Sequence, residues 1–290
     1  MIKNNILNKG LIGIIIFLST TALGNFYFYS GCKFKNSIET DQNKTININT
    51  DTMRRTILHK SETRGDANYG WLHSKHTFSF ANYYNPERMS FGMLRVLNDD
   101  IVKGGEGFGM HPHDNMEIIS IPLDGDLEHK DNMGNVAVIR KGDVQVMSAG
   151  TGVFHSEFNK NTDKEVSFLQ IWVHTNKAHA EPRYDQISIK NLEKENAFYQ
   201  ILSPDSTGQG VWIYQDAWFH LANFKSGKSA TYNFKKEGNG LYIFLLEGQI
   251  DVDGQILEKR DGYGVWDTDK VTVTATKDAR ILLMEVPMNY

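Results

Sequence analysis

From residue 54 onward the chain is a succession of short apolar or alternating runs, each cut off by a glycine-, asparagine- or aspartate-bearing turn. Runs at 91–97, 117–123, 136–139, 144–147 and 166–173 are separated by turn signals such as Asn98-Asp99-Asp100, Gly104-Gly105, Asp124-Gly125-Asp126 and Lys141-Gly142-Asp143. Runs of this length fit strands rather than helices, and many short strands at such spacing predict an all-β sandwich or barrel. The grammar repeats in the second half, at 241–246, 250–252, 271–276 and 281–286. Leu123-Asp124-Gly125-Asp126-Leu127 and Leu246-Glu247-Gly248-Gln249-Ile250 occupy the same place in the two halves. The expectation is two related β-barrels in tandem, 54–185 and 186–290, joined near 175–200.

The histidines carry the chemistry. His111-Pro112-His113 places two imidazoles at i and i+2, where strand side chains share a face and can grip one ion. His155-Ser156-Glu157 repeats the spacing with an imidazole and a carboxylate. One His-x-His alone is an ordinary strand pattern, but two matched pairs, each after a glycine-rich turn, are hard to explain by packing. Two neighbouring strands would bring all four groups to one ion. Three imidazoles and a carboxylate leave coordination positions open, which suits iron(II) or manganese better than a closed structural zinc site. Open positions are what a catalytic metal needs. Histidines 59, 73, 76, 129, 174, 179 and 220 have no such spacing and are read as ordinary packing or surface residues, with His129, on the strand after Gly125, the least settled.

A net charge of -4 with scattered lysines and arginines argues against a nucleic-acid partner. The single cysteine, Cys32, excludes an intrachain disulfide and a thiolate metal site. That cysteine follows a segment with the pattern of a targeting leader. Lys3 and Lys9 precede an apolar run at 11–18 that continues to Gly24. With Phe26-Tyr27-Phe28-Tyr29 the apolar stretch reaches about 20 residues, the length of a spanning helix. Tyr29-Ser30-Gly31-Cys32 resembles a lipobox, with Tyr29 where an aliphatic residue is usual. Lipidation at Cys32 is favoured slightly over a retained helix, and a cleaved secretory signal comes third. Residues 33–53 are polar and read as a flexible tether. The expected location is the cell envelope, membrane-tethered; a chain starting at Met53 would be cytoplasmic.

The stretches Arg64-Gly65, Trp71-Leu72, His76-Thr77-Phe78-Ser79-Phe80, GFGMHPHDNMEI (107–118), EHKDNMG (128–134) and GDVQVMSAGTGVFHSE (142–157) resemble the pirins, a family within the cupin superfamily. The resemblance is closest from 64 to 190. It implies two tandem cupin (jelly-roll) β-barrels, with one Fe(2+), or another divalent transition metal, held in the first by His111, His113, His155 and Glu157. The second half has no His-x-His and resembles a barrel without metal. Some bacterial pirins are quercetin 2,3-dioxygenases and a eukaryotic member is a nuclear transcriptional cofactor. The implied function is a metal-dependent dioxygenase acting on a flavonol or related phenol with dioxygen. Glu157 would be the base beside the metal. The rival reading is a non-catalytic iron-binding regulatory or sensing module, favoured by a sealed site, whereas an aromatic-lined cavity beside the metal favours the enzyme. A monomer is expected. The general cupin pattern would instead use Gly105, His111, His113 and Glu117; strand parity carried forward from His113 turns Glu117 inward, where it would orient a ligand imidazole.

Overall fold

The computed structural model describes residues 54–289; the expectations about the leader 1–32, Cys32 and the tether 33–53 lie outside the described residues. The described residues are all-β and form two domains. Among the described residues the one helical element is the short 3-10 turn Ser61–Thr63. In chain order the strands up to residue 188 are β1 (Arg55–His59), β2 (Gly65–Asn68), β3 (Leu72–His76), β4 (Leu94–Val102), β5 (Gly107–His113), β6 (Met116–Asp124), β7 (Asp126–Asp131), β8 (Val136–Arg140), β9 (Asp143–Ser148), β10 (Val153–Asn159), β11 (Val166–His174) and β12 (Arg183–Ser188).

The first domain pairs a seven-stranded sheet, β12-β9-β6-β11-β4-β3-β2, with a four-stranded sheet, β5-β10-β7-β8. Leu72, Val102 and Phe168 of the larger sheet meet Leu127 and Ile139 of the smaller one, closing one end of the interior. The second domain repeats the plan with another seven- and four-stranded pair. The two seven-stranded sheets lie back to back. Leu97, Ile119, Ile121, Leu169 and Ile171 from the first share one apolar cluster with Phe219, Leu221, Phe244, Leu282 and Met284 from the second. This explains why β6 and β11 are buried almost throughout: one face looks into the barrel and the other into the second domain.

The internal repeat read from the sequence has a structural basis. Gly125 between β6 and β7 has φ +77°, and Gly248 at the equivalent corner has φ +88°. A Cβ on Gly125 would lie 2.8 Å from the Glu165 carbonyl oxygen, and one on Gly248 2.0 Å from that of Asp278. Only glycine turns this corner without a clash.

The division at 185/186 passes through β12, which completes the first domain's sheet by pairing with β9. β1, in turn, pairs with the strand Gly262–Trp266 at the edge of the second domain's sheet. Residues 55–59 thus precede the first domain in sequence and belong to the second in space.

Candidate metal centre

β5 and β10 run antiparallel with His155 opposite His111 and Val153 opposite His113. The register slips between His155 and Glu157, so that Glu157 stands opposite Phe108. The extra residue lies on β5, around Gly109. The Gly109 carbonyl accepts a hydrogen bond from His111 Nδ1 at 2.7 Å, which leaves Nε2 of His111 for a ligand. The three imidazoles converge, with ring centroids 4.9 Å apart for His111 and His113, 4.4 Å for His111 and His155, and 4.9 Å for His113 and His155. One nitrogen from each lies within 4.8 Å of the others. Nε2 of His113 and Nε2 of His155 are buried and have no partner in the protein. Unpartnered buried nitrogens aimed at one point are what a metal ligand set looks like before the ion is added. Burial pushes His113 down to about 4 and His155 to about 2, each helped by the neighbouring imidazoles. All three donors fit a divalent transition metal, which needs neutral imidazoles.

Behind His155 stands a relay that the sequence reading left out. His129 on β7 places Nδ1 at 3.4 Å from His155 Nδ1, and its Nε2 lies 3.0 Å from Asp131 Oδ2. The carboxylate can only accept, so His129 Nε2 carries the proton and its Nδ1 is a lone pair. His155 Nδ1 must then donate, and its Nε2 is left as the free donor atom for the metal. Asp131 is itself held by the backbone N–H groups of Met133 (2.9 Å) and Asn135 (3.0 Å) and by Asn135 Nδ2 (2.8 Å). Burial works against its charge, but these hydrogen bonds and His129 outweigh it and keep the carboxyl below its usual range. The signal was the spacing His129-Lys130-Asp131, one strand away from His155.

Glu157 lies inside the barrel, 2 % exposed, and lines the same cavity as His111 and His113. Its carboxylate is outside the group of mutually close ligand atoms, which contains the three histidines alone. Ser120 Oγ donates to its Oε1 at 3.0 Å and Gln170 Nε2 to its Oε2 at 2.6 Å. Burial pushes this carboxyl up to about 7 in spite of both bonds.

Glu117 is placed differently from the parity count. β5 ends at His113 and β6 begins at Met116 in the other sheet, with Asn115 at φ +45° between them. That corner breaks the alternation. Ser120, in phase with Ile118, touches Glu157, whereas Glu117 is in phase with Ile119 and Ile121 and looks toward the second domain. Its Oε2 accepts from Ser148 Oγ at 2.5 Å, and Thr175, Tyr214 and Arg183 lie around it. No imidazole of the triad is among its hydrogen-bond partners.

A cavity of about 310 Å³ is lined by His111 and His113 of the triad. Its walls include Trp71, Phe80, Phe108 and Trp172, and Ser74, Asn98, Asp100 and Gln170 add polar groups. Trp172 stands edge-on to His113 with centroids 4.8 Å apart. The volume is at the lower end of roughly 300–1,000 Å³ for small-molecule sites.

Fold and site together define a two-domain protein of the cupin type with a triad of converging imidazoles in its first domain. The pirin family profile matches residues 57–173, and the profile of the quercetinase C-terminal cupin domain matches 200–286. The chain belongs to the pirin family. It is 36% identical over 230 residues to a quercetin 2,3-dioxygenase of Escherichia coli (strain K12), covering 79% of this chain and 98% of the relative. It is 38% identical over 222 residues to a pirin-like protein of Caulobacter vibrioides, covering 76% and 95%. The crystal structure of the bacterial pirin YhhW from Escherichia coli in complex with nickel(II) superposes with a TM-score of 0.76 at 35% identity, over 80% of this chain and 99% of that one.

Proposed function

We propose that the chain is a metal-dependent dioxygenase that cleaves a flavonol or a related phenol, with His111, His113, His155 and Glu157 around one iron(II). The observation that carries this is the aromatic-walled cavity that is lined by His111 and His113 of the triad and has the Glu157 carboxyl in its wall. A sealed triad would have favoured a sensing module instead. The names of the relatives support the same class of reaction.

The bound metal would supply an open position for the substrate's ionised hydroxyl and for dioxygen chemistry. The protein's own part is positional and protic. His111, His113 and His155 hold the ion against the cavity wall. Trp71, Phe80, Phe108 and Trp172 clamp a flat ring system and exclude water. Glu157, poised near neutrality by burial, takes the proton of the hydroxyl that approaches the metal, as a general base should. Ser120 and Gln170 keep its oxygens aimed. The test is dioxygen uptake by iron-loaded protein on addition of quercetin, with one dioxygen consumed per flavonol. Metal-loaded protein that binds quercetin without consuming dioxygen would leave the sensing module as the better reading.

We further propose that this chemistry takes place at the cell envelope, on the strength of the leader-like pattern at 1–32. Fractionation places the protein in the membrane pellet if so, and Cys32→Ala releases it if a lipid is the anchor.

A further inference from the structure

Five polar side chains form one continuous row across the inner face of the first domain's large sheet. His76 on β3 stands opposite Asn98 on β4, Asn98 opposite Gln170 on β11, Gln170 opposite Ser120 on β6, and Ser120 opposite Gln145 on β9. All five are buried. A buried polar side chain is normally hydrogen-bonded, so a row of five asks where the bonds go. The middle of the row has an answer, because Ser120 and Gln170 are both spent on Glu157. The end that lines the cavity has none: Asn98 Oδ1 and His76 Nδ1 are buried and unpartnered. Gln145, at the opposite end and outside the cavity lining, also leaves its amide unpartnered.

A wall of rings runs beside the row from the triad to its cavity end. His113 meets Trp172 at 4.8 Å, Trp172 meets Phe80 at 5.3 Å, and Phe80 meets His76 at 5.3 Å. Within that wall Trp172 Nε1–H is also buried without an acceptor. The cavity therefore presents apolar ring faces along its length, a donor beside the triad, and the unpartnered Asn98 Oδ1 and His76 Nδ1 at the row's cavity end. An isolated unpaired polar atom has many causes. Three around one cavity, at both ends of a track of aromatic faces, fit the two edges of one flat, oxygen-bearing aromatic molecule.

We propose that Asn98 and His76 determine ligand specificity by hydrogen-bonding hydroxyl substituents on the part of the aromatic ligand remote from the metal, while Trp172 donates to an oxygen beside the triad. This rests on the flavonol reading and goes further, since it selects polyhydroxylated ligands over those that carry an oxygen only at the reacting end. A site built to pair with a hydroxyl discriminates strongly against the analogue that lacks it.

The experiment uses the full chain loaded with nickel(II) and kept anaerobic, titrated with quercetin and with 3-hydroxyflavone. The second ligand has the same ring skeleton and reacting end but no remote hydroxyls. Wild-type protein should prefer quercetin. Asn98→Leu, which keeps the volume and removes the amide, should weaken quercetin about tenfold or more and leave 3-hydroxyflavone within about threefold. Trp172→Phe should weaken both ligands by a similar factor. Nickel(II) affinity and melting temperature establish that each variant is folded, and Asn98→Ser, with a shorter polar group, should fall between wild type and Asn98→Leu. A quercetin preference unchanged in folded Asn98→Leu and Asn98→Ser overturns the row assignment alone, since water then serves these atoms. Wild-type protein that binds neither flavonol overturns the flavonol reading and the assignment with it.

Discussion

His155 and His129 face each other through like atoms, Nδ1 to Nδ1 at 3.4 Å, and a carboxylate on the far side of His129 decides which of the two carries the shared proton. The arrangement leaves His155 with one tautomer, the one whose Nε2 can bind a metal. Such outer partners commonly contribute about 10–100-fold in metal affinity. His129→Leu should therefore weaken nickel(II) binding by about that factor in calorimetric titration. His129→Asn, whose side-chain oxygen can accept from His155 Nδ1, should recover part of the loss. Wild-type affinity in the leucine variant would show that the relay has no hold on the ligand.

Each of His111→Ala, His113→Ala and His155→Ala should remove most of the bound metal, since each takes away one converging imidazole. Elemental analysis of purified protein should give close to one ion per chain in the wild type. The triad is the one such cluster among the described residues. Two ions per chain, or full occupancy in two of the three variants, would contradict the assignment.

Much of this was legible in the sequence, and the failures have identifiable causes. Period-two alternation with glycine corners gave the all-β class, and the shared corner at Gly125 and Gly248 gave the repeat. Paired spacing found His111, His113 and His155 because residues two apart on a strand share a face whatever the register. Glu117 was misplaced because parity was carried across Asp114-Asn115, where the chain changes sheets. The partner of β1 lies some two hundred residues away, and no local pattern reports an edge pairing at that distance. The polar row was invisible for a related reason: His76, Asn98, Gln170, Ser120 and Gln145 come from five strands and align only once the register is known.

Glu117 should make stability depend on pH without touching the metal. Burial raises its carboxyl from an ordinary 4.5 to about 7, so the folded state favours the protonated form. The stabilisation from that proton is fully present below about 4.5 and is lost as pH rises to about 7, where the buried group ionises. Glu117→Gln cannot ionise and should gain on the wild type across this window, by roughly 3 kcal/mol at most, with no further change above it. Thermal melts at pH 5, 6, 7 and 8 would show the gap opening and then levelling. Parallel curves for the two proteins would mean that Glu117 ionises in the fold as freely as in the unfolded chain.

Glu157 separates positioning from proton transfer. Its two oxygens accept from Ser120 and Gln170, and its carboxyl sits in the cavity wall with His111 and His113. Glu157→Gln keeps the shape and removes the base, and its amide can still pair, the oxygen accepting from Gln170 Nε2 and the NH2 donating to Ser120 Oγ. Turnover of a flavonol should fall by about 10²–10⁴-fold, the usual contribution of a placed general base. Metal affinity should also fall, but by less than in any of the three histidine variants, because the imidazoles converge without the carboxylate. Ser120→Ala leaves the base in place and frees one of its oxygens, so its loss of turnover should be smaller than that of Glu157→Gln. Measuring metal content and dioxygen uptake on the same samples separates the two effects. Turnover that survives in metal-replete Glu157→Gln would assign the proton to another acceptor in the cavity, and Asp100, buried, hydrogen-bonded to Ser74 and raised to about 7 by burial, would be the next group to replace.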